Sequence, residues 1–101
     1  MTEREKIIYL AGITDGEGHF YYPATRNGRG ELHHYPRLVI IQKDFELIRW
    51  LKANYGGCVT HGNNETGGYY RWQLQGKKVK ELANLMLPYL IVKREQVKRV
   101  L

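Results

Sequence analysis

"LAGITDGEGHF" spans Leu10 to Phe20, and the reading of the fold turns on how its helix ends. Upstream, Thr2 and Glu5 have the spacing of a capping box, and Ile7, Leu10, Ala11 and Thr14 recur on one face at helical spacing. A helix is therefore predicted from about Glu3 to Gly16. Two carboxylates, Asp15 and Glu17, fall at its C-terminal end, where the helix dipole disfavours negative charge and a helix that merely packs carries Lys or Arg. Gly12 and Gly16 lie four apart on one face, with Ile8 one turn earlier, and each glycine costs a helix interior about 1 kcal/mol relative to alanine. One account is close approach of a second backbone, the same helix in a symmetric partner, with Ile8, Gly12 and Gly16 as the interface. The other is that Gly12 abuts its own sheet and Gly16 is only a C-cap. In a symmetric pair two Glu17 side chains meet beside two helix ends of negative partial charge, and divalent metal relieves the repulsion. A hard ion such as Mg²⁺ takes its oxygen ligands from carboxylates, a backbone carbonyl, water and phosphate.

The chain has 101 residues, 43% of them hydrophobic, which is enough for one modest core. A single domain over residues 1–101 is expected. Sixteen Lys and Arg against 10 Asp and Glu give a formal charge of +6, and a basic chain with 8 Tyr and 2 Trp suits a polyanionic partner. The lone cysteine, Cys58, excludes an internal disulfide and fits a reducing compartment. The charged N-terminus lacks the apolar run of a signal peptide, and no stretch approaches the ~18 apolar residues of a membrane span. A soluble, intracellular protein with no membrane partner is expected, its compartment not legible.

After the first helix, His19 to Thr25 reads as a strand, Arg26 to Gly30 as a turn, and Leu32 to Gln42 as the second strand of a hairpin. A two-residue period puts Leu32, Leu38 and Ile40 on a core face and His33, Tyr35 and Arg37 on a candidate binding face. Asp44 is a good N-cap for a helix carrying Phe45, Leu47, Ile48, Trp50 and Leu51, which Gly56-Gly57 stops. A second hairpin follows, with strands near Cys58 to His61 and Tyr69 to Gln75 joined by the turn-rich "GNNETGG", Gly62 to Gly68. Val79, Leu82, Ala83 and Met86 mark a third helix that Pro88 closes, and a short amphipathic helix with Val97, Val100 and Leu101 ends the chain. The order predicts an α+β fold, helices on one face of an antiparallel sheet, the other face open to a ligand as large as a nucleic-acid groove.

Parity counted from Glu17 puts His19, Tyr21, Pro23 and Thr25 opposite Phe20 and Tyr22. With Tyr35, Arg37, Arg71 and Gln73 they form a ribbon surface suited to a major groove, while Arg26, Arg29 and the "GNNETGG" turn suit backbone contact. A solvated polar face shows the same alternation. His33, His34, Cys58 and His61 do not make a zinc site, because neighbouring strand residues, and those three apart, point to opposite faces. Asp15-Gly16-Glu17-Gly18 lacks the remaining ligands and the closing glutamate of a calcium loop.

"LAGITDGEG", Leu10 to Gly18, resembles the naming motif of the LAGLIDADG homing endonucleases, departing from it at Ile13, Thr14, Gly16 and Glu17. "GEGHF" before an aromatic strand, "GG-C-V" after the second helix, "YRWQL" at Tyr70 to Leu74 and "LPYLIVKREQ" at Leu87 to Gln96 resemble single-motif members in order along nearly the whole chain. The resemblance implies an αββαββα fold with a saddle-shaped antiparallel sheet over double-stranded DNA, and a homodimer formed through the motif helices. It implies that Glu17 is the catalytic, metal-binding acid, with the Gly16 carbonyl also facing metal, Mg²⁺ or Mn²⁺. Glutamate in place of the family's aspartate adds one methylene to that ligand. Lys93 takes the place of the family's basic residue near the scissile phosphate, where it polarises the phosphate or the attacking water. Gln42, with Lys43 beside it, takes that of the polar residue ending the second strand, although both residues also suit a strand cap.

The function implied is site-specific cutting of both DNA strands by metal-dependent phosphodiester hydrolysis. One acid serves one strand, so two Glu17 residues related by a two-fold axis imply a palindromic or nearly palindromic site. The principal rival is a catalytically silent DNA-binding regulator or an RNA-splicing maturase whose partner is intron RNA. A more distant one is a basic ribosome-associated RNA-binding protein, which has no need of the Gly12 and Gly16 pair.

Overall fold

Capping chemistry sets the first element. In the computed structural model, which describes residues 1–65 and 67–101 and only the backbone at Thr25 and Asn64, Thr2 Oγ1 accepts the Glu5 N–H at 3.1 Å. The Glu5 carboxylate accepts the Thr2 N–H at 2.7 Å in return. These bonds open α1, Glu3–Glu17, as the spacing predicts. Leu10 and Ala11 are fully buried on its inner side, and buried Thr14 donates its hydroxyl to Met86 Sδ at 3.7 Å. The Gly18 N–H returns to the Thr14 carbonyl, ending the helix where the chain enters β1, Gly18–Tyr21.

The remaining strands are β2, Ala24–Arg26; β3, Leu32–His34; β4, Arg37–Gln42; β5, Cys58–Asn64; and β6, Gly67–Gln75. β1, β4, β6 and β5 form one antiparallel sheet in the order β1-β4-β6-β5, and β2 pairs only with β3. The two long strands expected at residues 19–25 and 32–42 are therefore each broken. The breaks fall at Tyr22-Pro23 and Tyr35-Pro36, where proline offers no N–H to a ladder. Beyond them the hairpin continues as a separate two-stranded finger, and Leu32, expected in the core, stands 56% exposed on it. The second hairpin departs the other way. Most of "GNNETGG" is strand, with Gly62↔Tyr69 and Asn63↔Gly68 in register, because pairing overrides the weak strand propensity of Gly and Asn.

Helix α2, Phe45–Tyr55, starts on Asp44, whose carboxylate accepts the Glu46 N–H at 2.9 Å, and stops at Gly56 with φ 74°. Helix α3, Lys77–Met86, leads through a 3-10 turn at Leu87–Tyr89 to α4, Arg94–Lys98. One face of the sheet contributes Phe20, Leu38, Ile40, Trp72 and Leu74 to a core completed by Leu10, Ala11, Ile48, Leu51, Val79, Leu82, Met86 and Val97. Phe45 and Leu101, expected in apolar faces, are largely exposed. The helices thus cover one face of the sheet and leave the other open, which is the predicted α+β architecture. Among the described residues no helix is long and apolar enough to cross a membrane.

Candidate active site

Glu17 is the last residue of α1 and is exposed; Gly16, beside it, is exposed too. No Lys or Arg lies in that last turn, and among the described residues nothing pairs with the Glu17 carboxylate. The final helical carbonyls lack intrahelical partners by construction. An unengaged carboxylate beside carbonyl oxygens is an all-oxygen donor set, which suits a hard divalent ion such as Mg²⁺ or Mn²⁺ and does not suit zinc. Among the described residues no group of three or more His, Cys, Asp or Glu converges to hold a metal, so these donors would share an ion with oxygens from outside the chain.

Asp15 meets quite different surroundings. Its Oδ2 accepts the Ile91 N–H at 2.7 Å, and its Oδ1 accepts those of Val92 and Lys93 at 3.0 and 2.9 Å. Partial burial pushes this carboxyl up, but the N–H groups of Lys93, Ile91 and Val92 and the positive charge of Lys93 outweigh it and hold the group below the ordinary aspartate range. Three donors explain how an acid is tolerated at the negative end of a helix. They also bring half-buried Lys93, the residue before α4, to the end of α1 that carries Glu17. Gln96, one turn further, accepts the Phe20 N–H at 2.8 Å. The sequence marks Asp15 without giving it a partner and does not mark Gln96, since each partner lies more than seventy residues away.

Gln42 ends β4 with its side chain turned back, Oε1 accepting the N–H groups of Lys43 at 2.8 Å and Asp44 at 3.4 Å. Its register, opposite Tyr70, puts it on the face of Leu38 and Ile40. It therefore closes the corner into α2, with exposed Lys43 at the bend.

The open face of the sheet collects most of the predicted reading residues. His19 and Tyr21 are exposed on β1; His19 pairs with Val39 and through it with Gln73, and Tyr21 with Arg37 and through it with Gln75. Arg71 lies opposite Ile41. Arg37 donates to Gln75 Oε1 at 3.4 Å and Arg71 to Gln73 Oε1 at 3.3 Å. Both Nε atoms are buried without a partner among the described residues. Gln75 is an addition to the predicted surface, found through its register with Arg37.

The other candidates lie on the separate β2–β3 finger and its flanks rather than on the four-stranded sheet. Arg26 donates to the Gly30 carbonyl at 2.9 Å, and Asn27 Oδ1 accepts the N–H groups of Arg29 and Glu31, organising the turn. His33 contacts Asn27 at 2.8 Å, and its ring stacks on Tyr35 at 6.2 Å. The Thr25 side chain, predicted to face DNA, is outside the described residues. Tyr35 and Arg37, expected to share one face of a continuous strand, stand on either side of the break and line a depression with Pro23, Gln75 and Gly76.

On the outer side of α1, Ile8 is 42% exposed, and an added Cβ at Gly12 or Gly16 meets nothing within 4 Å. Gly12 does not abut the chain's own sheet, which removes that account of it.

No protein-family model matches the chain, and no curated protein matches it significantly. Solved structures do. The homing endonuclease I-CvuI in complex with its target is 22% identical at TM-score 0.73, over 96% of this chain and 64% of that one. The archaeal intron-encoded homing endonuclease I-Vdi141I, complexed with DNA, is 22% identical at TM-score 0.76, over 97% and 65%. The chain has the LAGLIDADG homing-endonuclease fold. A further similar structure with that fold, the meganuclease I-SmaMI bound to uncleaveable DNA, is 18% identical at TM-score 0.68, over 91% of this chain and 34% of that one. The chain thus spans less than two thirds of the length of each of these three homing endonucleases.

Proposed function

We propose that the protein is a site-specific, metal-dependent DNA endonuclease that cuts both strands as a homodimer. The observation that carries this reading is the position of Glu17. Its exposed carboxylate stands where α1 passes into β1, the edge strand of a sheet whose open face bears His19, Tyr21, Arg37, Arg71 and Gln73. A duplex lying along that face brings a backbone phosphate to the end of α1. There Glu17 and the Gly16 carbonyl would hold Mg²⁺ or Mn²⁺, and Lys93 would place positive charge beside the phosphate. Such an ion, when bound, would supply an activated water and would stabilise the leaving 3′ oxygen. One Glu17 serves one strand, and pairing of two α1 helices through Ile8, Gly12 and Gly16 supplies the second, on a palindromic or pseudo-palindromic site. Gln42 contributes by holding the β4 corner.

The test is a library of near-palindromic duplexes exposed to the protein with Mg²⁺ and then with Ca²⁺. Cutting with Mg²⁺ alone, lost in Glu17→Gln while binding persists, is expected. Specific binding without cutting in any metal overturns the nuclease in favour of a silent DNA-binding regulator, and preference for intron RNA over duplex favours a maturase.

A further inference from the structure

The segment between the buried Leu90 and α4 has little packing to order it. Ile91 and Val92 are 84% and 72% exposed, among the most exposed apolar side chains described. Residues 91–93 belong to no helix or strand, and their three N–H groups go to one acceptor, the Asp15 carboxylate. Charge-assisted bonds of 2.7 to 3.0 Å are the strong kind. Beyond the segment, Gln96 holds the Phe20 N–H. Residues 15 and 20 flank Glu17, so the C-terminal segment is tied to the chain on both sides of that acid.

We propose that Asp15 and Gln96 are positioning residues of the cleavage site, bracing residues 91–93 so that Lys93 keeps a fixed place relative to Glu17. The inference rests on the nuclease reading. Neither residue touches substrate. Asp15 acts through the backbone of Lys93, and Gln96 acts through the strand that follows Glu17. An ammonium on a flexible stem stabilises a developing charge only if its backbone is held in advance, because displacement of about 1 Å costs roughly 100-fold in rate. The brace performs that function where packing does not. It also separates the two acids of the motif: Glu17 is left unengaged for an ion, while Asp15 is consumed by structure.

The experiment has two arms. In single-turnover cutting with Mg²⁺, Asp15→Asn and Gln96→Leu are expected to lower the rate by roughly 10- to 100-fold, with affinity for the same duplex in Ca²⁺ changed by less than about twofold. In a Lys93→Met background, Asp15→Asn is expected to have little additional effect, because the residue it positions is already gone. Effects that multiply in the double variant, or a loss confined to affinity, overturn the positioning role. In the second arm, amide hydrogen exchange at residues 91–93 is expected to accelerate in Asp15→Asn without DNA present. Unchanged exchange overturns the brace whether or not the protein cuts. Wild-type protein that binds and never cuts, with exchange accelerated as expected, overturns the nuclease reading instead.

Discussion

Gly12 and Gly16 stand one turn apart on the outer side of α1, and a Cβ built on either meets no atom within 4 Å. Within one chain these glycines have no packing role, yet each costs its helix about 1 kcal/mol relative to alanine. Gly12→Ala is therefore expected to raise the stability of the monomer by up to about 1 kcal/mol in denaturant unfolding. Gly12→Leu is expected to abolish self-association in sedimentation experiments, because the side chain separates two helices that approach backbone to backbone. Stability and association that fall together would mean that the glycine serves the monomer.

Gly18 is under the opposite constraint. A Cβ there comes within 2.9 Å of Thr14 Cα and 3.0 Å of the Thr14 carbonyl oxygen, both backbone atoms that cannot swing aside. Gly18→Ala is expected to destabilise the fold by about 1–3 kcal/mol, read as a lowered denaturation midpoint at unchanged m-value. Since Glu17 is the preceding residue, the variant is also expected to lose cutting more steeply than binding.

Arg71 and Arg29 separate base reading from charge. Arg71 lies half-buried on the open sheet face with Gln73 orienting its guanidinium, whereas Arg29 is exposed in the finger turn. Arg71→Ala is expected to cost about 1–3 kcal/mol on the preferred duplex and to relax preference at one base pair in each half-site. Arg29→Ala is expected to weaken all duplexes alike and to reduce the salt slope of binding by roughly one. Titrations on preferred and scrambled duplexes across a salt series distinguish the two.

What the sequence made legible is what local chemistry encodes. The Thr2–Glu5 capping box, the Asp44 cap and the Gly56 stop each act within a few residues, and all three helix boundaries they mark lie within a residue of expectation. The strand breaks had a local signal as well, in Pro23 and Pro36, but the aromatic and β-branched residues around them outweighed it. Leu32 was misplaced because a period of two carries no information across a break. The clamp on Asp15 had no local signal: the donors are 76 to 78 residues away, and "TDGEG" contains nothing that reports them. By contrast, the two-residue period of the strand already sets Gln42 with Leu38 and Ile40 and opposite Arg37, and the observed register agrees with it.

Tyr55 carries a pH dependence that is independent of the cleavage site. It ends α2 at 6% exposure, its ring between those of Trp50 and Trp72, and its hydroxyl is buried with no hydrogen-bond partner among the described residues. Burial, and secondarily the negative charge of Glu3, raise its pKa above the ordinary tyrosine value. The folded state therefore binds this proton more tightly than the unfolded chain. Its contribution to stability is complete below the unfolded value of about 10 and is lost as pH rises through the higher folded value. Tyr55→Phe removes the ionisable group and a hydroxyl that has no partner. The variant is expected to match or exceed the wild type at pH 7 by up to about 1 kcal/mol. Its advantage is expected to widen above about pH 10, where only the wild type gains a driving force to unfold and deprotonate. Paired urea titrations at neutral and alkaline pH give the difference directly, and lysines that titrate in the same range cancel between the two proteins. A gap that stays constant with pH would mean that the hydroxyl reaches solvent, and that the floor of the core beneath α2 is less closed than its burial indicates.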